Sequence, residues 1–272
     1  MRGHPAGPID RAYLLISNLA QLGDGLPNLT KPIGTEPMET LKISPSNAKI
    51  SYDSLSLPAG WSCPSALDCL SKADKVTGKI TDGKQTQFRC FAATDEARST
   101  AARRQRWHNF DLLRQCETVE DIVELLTMSI RPSYAPFRIH VSGDFYNQIY
   151  FDAWVEYARQ NPNRIFYAYT KSLNYWVERL GDIPPNLSLT ASRGGRFDAL
   201  IDMYGLKEAR VVFSESEAQD LGLEIDHDDS HAVENNGRSF ALLLHGTQPA
   251  GSEASKALQA LKASGTKFSY SR

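Results

Sequence analysis

No apolar run in the sequence approaches the roughly 20 residues that a membrane-spanning helix needs. The opening stretch, MRGHPAGPID, carries no signal-peptide apolar core. Both absences lead to the expectation of a cytoplasmic protein with no membrane partner. An excess of one charge sign is also missing. The net charge of −2 gives no bulk electrostatic reason for nucleic-acid binding, although a local basic groove stays open. Only four cysteines occur in 272 residues, too few for a disulfide scaffold, so metal binding or catalysis is the livelier use of them. The stretch GKITDGK (78–84) lacks the order of a phosphate loop, because Gln85 follows the final lysine. There is no G-x-S-x-G and no H-E-x-x-H, which argues against an ordinary serine hydrolase or a zincin.

What is present is an ordinary globular composition, 41% hydrophobic and 23% charged, in a chain long enough for one large domain. Residues 138–172 organise the rest. Apolar runs at 138–141 and 164–169 flank an amphipathic segment in which Ile149, Ala153, Trp154, Tyr157 and Ala158 recur at helical spacing. That is a strand–helix–strand unit, and a crossover of this length is what parallel strands require. The alternation continues through strands at 187–190, 209–213 and 239–244, with helices at 174–180, 196–204, 215–221 and 253–263. Upstream, helices are expected at 92–116 and at 119–130, the latter started by Thr118 with Asp121 three residues on. Short extended pieces at 48–52 and 55–57 precede a cysteine-containing loop at 58–90. The polar centre of that loop, 71–87, reads as a hairpin or insertion. Residues 1–40, rich in Gly, Pro, Asn and Thr, read as an arm with one helix at 11–22. The expected fold is therefore α/β: an N-terminal extension, then a single domain over 41–272. Its parallel (βα)n array is either an open sheet or a complete or partial TIM-type barrel.

In parallel α/β folds, ligands bind at the carboxyl ends of the strands. Those ends read Ser142-Gly143-Asp144, Thr170-Lys171-Ser172, Thr190-Ala191-Ser192-Arg193, Ser214-Glu215 and His245-Gly246. The serines double as helix-cap residues. Asp144, Lys171, Arg193 and His245 are not needed as caps, and all would face one mouth. Five residues separate Cys63 from Cys69 and twenty separate Cys69 from Cys90. Thiolates on such a loop either converge on a metal or cluster or pack as small apolar residues. Cys116, at a helix end, reads as an unrelated thiol. The segment IDHDDSHA (225–232) is either a divalent-cation site or an acidic loop of capping aspartates. The run RRQRWHN (103–109) is either a phosphate-contacting face or a solvated helix surface.

Six stretches carry a resemblance: NAKI (47–50), LPAGWSCPSALDC (57–69), RCFAA (89–93), RIHVSGDFY (138–146), FYAYTKS (166–172) and LTASRGG (189–195). In this order they resemble the phage "gene product 88" family, found in phages and mobile elements, over roughly residues 42–250. More distantly the layout is similar to phage radical-SAM-like proteins, with Cys63, Cys69 and Cys90 standing for their cysteine cluster. The resemblance implies a complete or partial TIM-type barrel with a [4Fe–4S] cluster held by Cys63, Cys69 and Cys90, one iron being left open for S-adenosylmethionine. It further implies Asp144, Lys171 and Arg193 as catalytic or orienting residues. Ser142, Gly143, Thr170, Ser192 and His245 would line the cofactor site, and a nucleic acid or nucleotide would be the substrate. The gap before Cys90 departs from the compact CxxxCxxC spacing, and no cysteine follows Cys116. Two other readings stand beside this one. One is a metal-dependent hydrolase or nuclease using His140, Asp144, His227, Asp228 and His231. The other is a metal-stabilised DNA-binding accessory protein using the Arg103–Arg106 run.

Overall fold

The computed structural model describes residues 39–46 and 51–266. The helix expected at 11–22, nearly all of the expected arm, and residues 47–50 with their NAKI stretch lie outside the described residues. Strand β1 (Asp53–Ser54) leads through the cysteine loop, which carries an antiparallel hairpin of β2 (Ser71–Ala73) and β3 (Ile80–Asp82), as the polar insertion suggested. Helices α1 (Phe91–Arg98) and α2 (Thr100–Leu113) follow as two elements where the pattern suggests one. The break is at Ser99, whose extended backbone ends α1 while its hydroxyl accepts from Ala102 N to start α2. Helix α3 (Val119–Ser129) begins with a complete capping box between Thr118 and Asp121.

From there strands and helices alternate: β4 (Phe137–Arg138), α4 (Gln148–Gln160), β5 (Phe166–Thr170), α5 (Leu173–Val177), β6 (Leu187–Ser192), α6 (Ala199–Tyr204), β7 (Glu208–Val212), α7 (Glu215–Asp220), β8 (Glu224–Ile225), α8 (Ser230–Val233), β9 (Phe240–Leu243) and α9 (Glu253–Ala263). Seven of the strands make one parallel sheet in the order β1-β4-β5-β6-β7-β9-β8. Among the described residues the edge strands β1 and β8 do not pair, so no closed barrel forms. Of the expected alternatives, the complete barrel is thus corrected to an open seven-stranded sheet. The unforeseen two-residue β8 lies outside β9 at one edge, and a TIM barrel needs eight strands paired all round.

Successive residues of a strand face opposite sides of a sheet, and here both sides are buried. Phe166, Ala168, Leu187, Leu189 and Ala191 join the large core with the helices. In α4, Asn147 caps the N-terminus by accepting from Tyr150 N at 2.8 Å. Trp154 is fully buried and stacks on Phe137 with ring centroids 5.9 Å apart. Ile149, which the helical pattern assigns to the apolar face, is 40% exposed; Tyr150 and Phe151 fill that role instead.

The opposite side of the sheet holds Tyr167, Ala209 and Phe240 and is covered by α8 through Ala232 and Val233. Asp229 precedes α8 with a left-handed backbone (φ 69°), a conformation that aspartate tolerates better than most residues. Its buried carboxylate accepts from Arg138 Nη1 at 2.6 Å and from the hydroxyls of Tyr167 and Tyr169 at 3.0 Å each. Ser188 Oγ donates to Ala232 O at 2.6 Å, and Lys207 Nζ donates to the carbonyls of Ala232 and Glu234. The IDHDDSHA segment is therefore mostly structural. Asp226 and Asp228 accept from the amides two residues ahead of them, and Asp229 anchors α8 under the sheet.

The segment after β9 folds back to the residues that follow the cysteine loop. Gln248 accepts from Arg89 N at 2.8 Å and donates to Arg89 O at 3.1 Å, while the His245 and Phe91 rings lie 4.9 Å apart. Gly246 is required there, since its φ is +81° and a Cβ would come within 2.8 Å of Phe91 Cβ. Among the described residues no helix is long and apolar enough to cross a membrane. Truncating the central ring of the large core, Trp154→Ala, is expected to lower stability by about 3–5 kcal/mol. Chemical denaturation would show this as a lower midpoint; an unchanged midpoint would contradict the central place given to α4.

Candidate active site

The carboxyl ends of β4, β5, β6 and β9 border one cavity of about 590 Å³. Cys63, Cys69 and Cys90 line it together with Asp144, Lys171 and Ser192, as do Ser142, Gly143, His140 and His245. Two segments separated by the hairpin thus bring three thiols to one cavity, and none of the three is in a disulfide.

The loop is held over the strand ends by backbone contacts. Leu67 N and Asp68 N both donate to Gly194 O, at 3.2 and 3.0 Å, and Arg196 N donates to Ser65 O at 2.8 Å. Gly60 N donates to Cys63 Sγ at 3.4 Å. Cys90 stands at the N-cap position of α1, where the amides of Ala92 and Ala93 point toward its sulfur. Burial nonetheless pushes the Cys90 thiol up to about 12, and it raises Cys63 and Cys69 as well; Cys69 adds to the shifts of Cys63 and Cys90, and Cys90 to that of Cys63. Without a cation among them, all three are neutral at ordinary pH.

Asp144 is the hub of the polar wall. Its Oδ1 accepts from Phe145 N at 2.7 Å and Thr170 Oγ1 at 2.6 Å, and its Oδ2 accepts from Lys171 N at 2.8 Å. Burial pushes this carboxyl up to about 6 against those hydrogen bonds, which favour the charged form. Lys171 Nζ donates to Ser192 O at 2.7 Å, Ser192 Oγ at 2.8 Å and Arg193 O at 2.8 Å, which uses all three of its protons. Ser142 Oγ donates to Leu57 O at 2.7 Å, so this serine ties the cysteine loop to β4 rather than capping a helix. Gly143 has φ +89°, and a Cβ there would sit 2.6 Å from Leu57 Cβ and from Ser62 Oγ. Only glycine lets the turn after β4 approach the loop this closely. His140 Nε2 lies 3.0 Å from Tyr150 OH, and burial, helped by Arg138, holds the imidazole down to about 3 and thus neutral.

Several expectations are corrected by these positions. Arg193 does not line the cavity; it forms ion pairs with Glu208 and with Asp202, the latter at 2.9 Å, because it lies beyond the end of β6 on the side of β7. Thr170 is buried, is not part of the cavity lining, and donates to Asp144. Ser214 is a helix cap, accepting from Glu217 N at 3.1 Å. For the hydrolase set, His140 and Asp144 reach the cavity, whereas His227, Asp228 and His231 belong to the β8–α8 segment and do not line it. His231 instead faces Glu224 at 3.2 Å. The Arg103–Arg106 run is no phosphate face. Arg103 donates to the backbone carbonyls of Lys75, Val76 and Glu96, and Arg106 pairs with buried Glu96 at 3.0 Å and with Asp95 at 2.5 Å. Tyr169, Arg138 and Phe91 also line the cavity. Their place in strand or helix-start patterns makes them look like ordinary core residues, so the sequence carries no signal that singles them out.

Fold and cavity together define a parallel α/β protein with a thiol-lined pocket at the carboxyl edge of its sheet. Residues 27–264 match the family described as Gene product 88, and the chain belongs to that family. It is similar to the Gene 88 protein of Mycobacterium phage L5, with 31% identity over 130 residues covering 44% of this chain and 47% of the relative. The Gene 88 protein of Mycobacterium phage D29 is 29% identical over 129 residues, with the same coverage of 44% and 47%. The chain spans about half the length of the curated relatives it matches. No solved structure matches it.

The two buried titrating groups on the polar wall have opposite effects on stability. From the ordinary 3.8 up to about 6, folded Asp144 binds more protons than the unfolded chain, so its contribution to stability falls as pH rises through that window. From about 3 up to the ordinary 6.5, the unfolded chain holds the His140 proton that the folded chain lacks, so stability is lost as pH falls through that range. Urea denaturation across these pH values should show the unfolding free energy of Asp144→Asn gaining on the wild type between pH 4 and 6. His140→Gln should be less acid-sensitive than the wild type below pH 6.5. Parallel curves for all three proteins would refute the burial of these groups.

Proposed function

We propose that the cavity is the site of an iron–sulfur protein of radical-SAM-like type, with Cys63, Cys69 and Cys90 as the thiolate ligands of a [4Fe–4S] cluster and S-adenosylmethionine as the companion cofactor. The observation that carries this reading is the presence of three non-disulfide thiols, from two segments twenty residues apart, in the lining of one cavity at the strand carboxyl ends.

The donor chemistry suits such a group. Among the described residues no set of three or more His, Cys, Asp or Glu is gathered as for a single metal ion. The ligands of a cluster stand further apart than those of one ion, since each sulfur binds a different iron. Burial disfavours the thiolate at all three positions, and cationic iron is what would stabilise thiolates in such a place. The parallel strands leading into the cavity support the likeness to a partial barrel, although the sheet is open. Bound there, the cluster would supply one-electron reduction.

The chain's own residues shape the site around that group. Ser142 and Gly143 hold the cysteine loop against the end of β4. Asp144 acts as a positioning residue that fixes Thr170 and the Lys171 amide. Lys171 in turn fixes the end of β6 and places Ser192 at the cavity wall. His140, held neutral, and His245 offer imidazole nitrogens without adding charge.

Anaerobic purification with iron and sulfide should yield brown protein with absorbance at about 400 nm and about four irons per chain. Each of Cys63→Ala, Cys69→Ala and Cys90→Ala should lose the colour, and Cys116→Ala should keep it. Colourless protein with stoichiometric zinc, or equal loss of colour in Cys116→Ala, would overturn the proposal.

A further inference from the structure

The cavity extends well past the cysteines. Its wall follows α1 from Cys90 and Phe91 through Thr94 and Asp95 to Arg98, a helical path of about 12 Å at the usual rise per residue. The same cavity is lined by Leu242 and Leu244 at the end of β9, with Leu258 and Lys262 from α9. The far end thus differs in chemistry from the thiol end, being apolar along its sides and cationic at its rim.

The charges of this wall do not cancel. Asp95 is engaged by Arg106, Arg89 pairs with Asp82, and Arg138 pairs with Asp229. Arg98 and Lys262 take part in none of the ion pairs of the described residues. Arg98 donates through Nη2 to Thr247 Oγ1 at 2.6 Å, which orients the guanidinium and leaves most of its five N–H groups available. Both residues lie in the last turn of a helix, where a cation offsets the macrodipole. That accounts for a basic residue at each position, but not for two separate helices delivering theirs to the rim of one cavity.

We infer that this far end is a substrate subsite for an organic anion, an aromatic body carrying a phosphate group, with the phosphate at Arg98 and Lys262 and the ring over Phe91, Leu244 and Leu258. The inference rests on reading the cavity as the active site, and it does not depend on iron. A two-cation rim fits a phosphate dianion, and Arg in particular offers paired donors to its oxygens. Phe91, with His245 against it at 4.9 Å, supplies an aromatic surface in the same lining. A cavity of about 590 Å³ has room for a bicyclic ring and its phosphate beside a cofactor at the thiol end.

Calorimetric titration of the full-length protein with 1-naphthyl phosphate, 1-naphthol and inorganic phosphate tests this. The wild type is expected to bind naphthyl phosphate about tenfold or more tightly than naphthol, with the preference shrinking in high salt. Arg98→Ala/Lys262→Ala should abolish that preference while leaving naphthol affinity unchanged, and Lys262→Glu, which cancels the charge of Arg98, should weaken it to a similar degree. Both side chains are exposed, so these changes spare the fold. Equal affinity for the two naphthyl ligands in the wild type would overturn the inference, as would no binding at millimolar naphthyl phosphate or a preference that survives the double substitution. Iron measured on the same samples keeps the two proposals apart. Protein without iron that still shows the Arg98- and Lys262-dependent preference would remove the cluster and leave the subsite standing.

Discussion

The Asp144 carboxylate ties the ends of β4 and β5 together, and the cavity wall depends on that tie. It accepts from the Phe145 amide on its own side and from Thr170 and the Lys171 amide on the other. With its backbone held there, Lys171 reaches the carbonyls of Ser192 and Arg193 at the end of β6. The glycines that follow, Gly194 and Gly195, carry the cysteine loop through Leu67, Asp68 and the Ala66 bridge. Gly195 approaches Lys171 so closely that an added Cβ would come within 3.0 Å of the lysine Cβ. A single buried acid thus sets the spacing of three strand ends and, through them, the height of Cys63 and Cys69 above the sheet. Burying a carboxylate is costly unless its lone pairs are satisfied, and here three donors satisfy them.

A second buried acid beside the same strands repeats this logic with different groups. Asp229, seated before α8, gathers Arg138, Tyr167 and Tyr169 from two neighbouring strands and closes the inner side of the sheet. Breaking such a pair by removing one partner is far more damaging than never having built it. Glu96 plays a related part on the helical side: its Oε1 accepts from Ala59 N at 2.8 Å and from Arg106, joining α1 and α2 to the start of the cysteine loop. These three acids hold three layers, and the cavity is the space left where the layers meet. The thiols contribute nothing comparable to this framework, which is consistent with their being available for another purpose.

Much of this was legible in the residues. The crossover unit around α4, the hairpin inside the cysteine loop and the cap at Thr118 follow from local patterns, and α9 spans the expected residues. The gathering of Asp144, Lys171, Ser192 and His245 with the cysteines follows from one rule, that parallel strands present their carboxyl ends together. Where the reading strayed, a longer-range contact decided. Arg193 has the same place in its motif as a ligand-binding residue, yet Glu208 on the next strand draws it aside. The acidic segment at 225–232 offered metal-ligand spacing, and the buried Arg138 and the two tyrosines, some 60 to 90 residues away in the chain, claimed Asp229 instead.

By itself the sequence determined the class of fold, the alternation of strands and helices from β4 to β7, and which residues would stand at the ends of those strands and of β9. These depend on periodicity and on turn chemistry within a few residues of each position. Only the tertiary structure decided that the sheet stays open, that α8 covers the side holding Tyr167 and Phe240, and that Arg98 and Lys262 line one cavity with Cys90. Sheet closure and cavity shape are set by which distant side chains satisfy one another when buried. No local pattern in the chain encodes that choice.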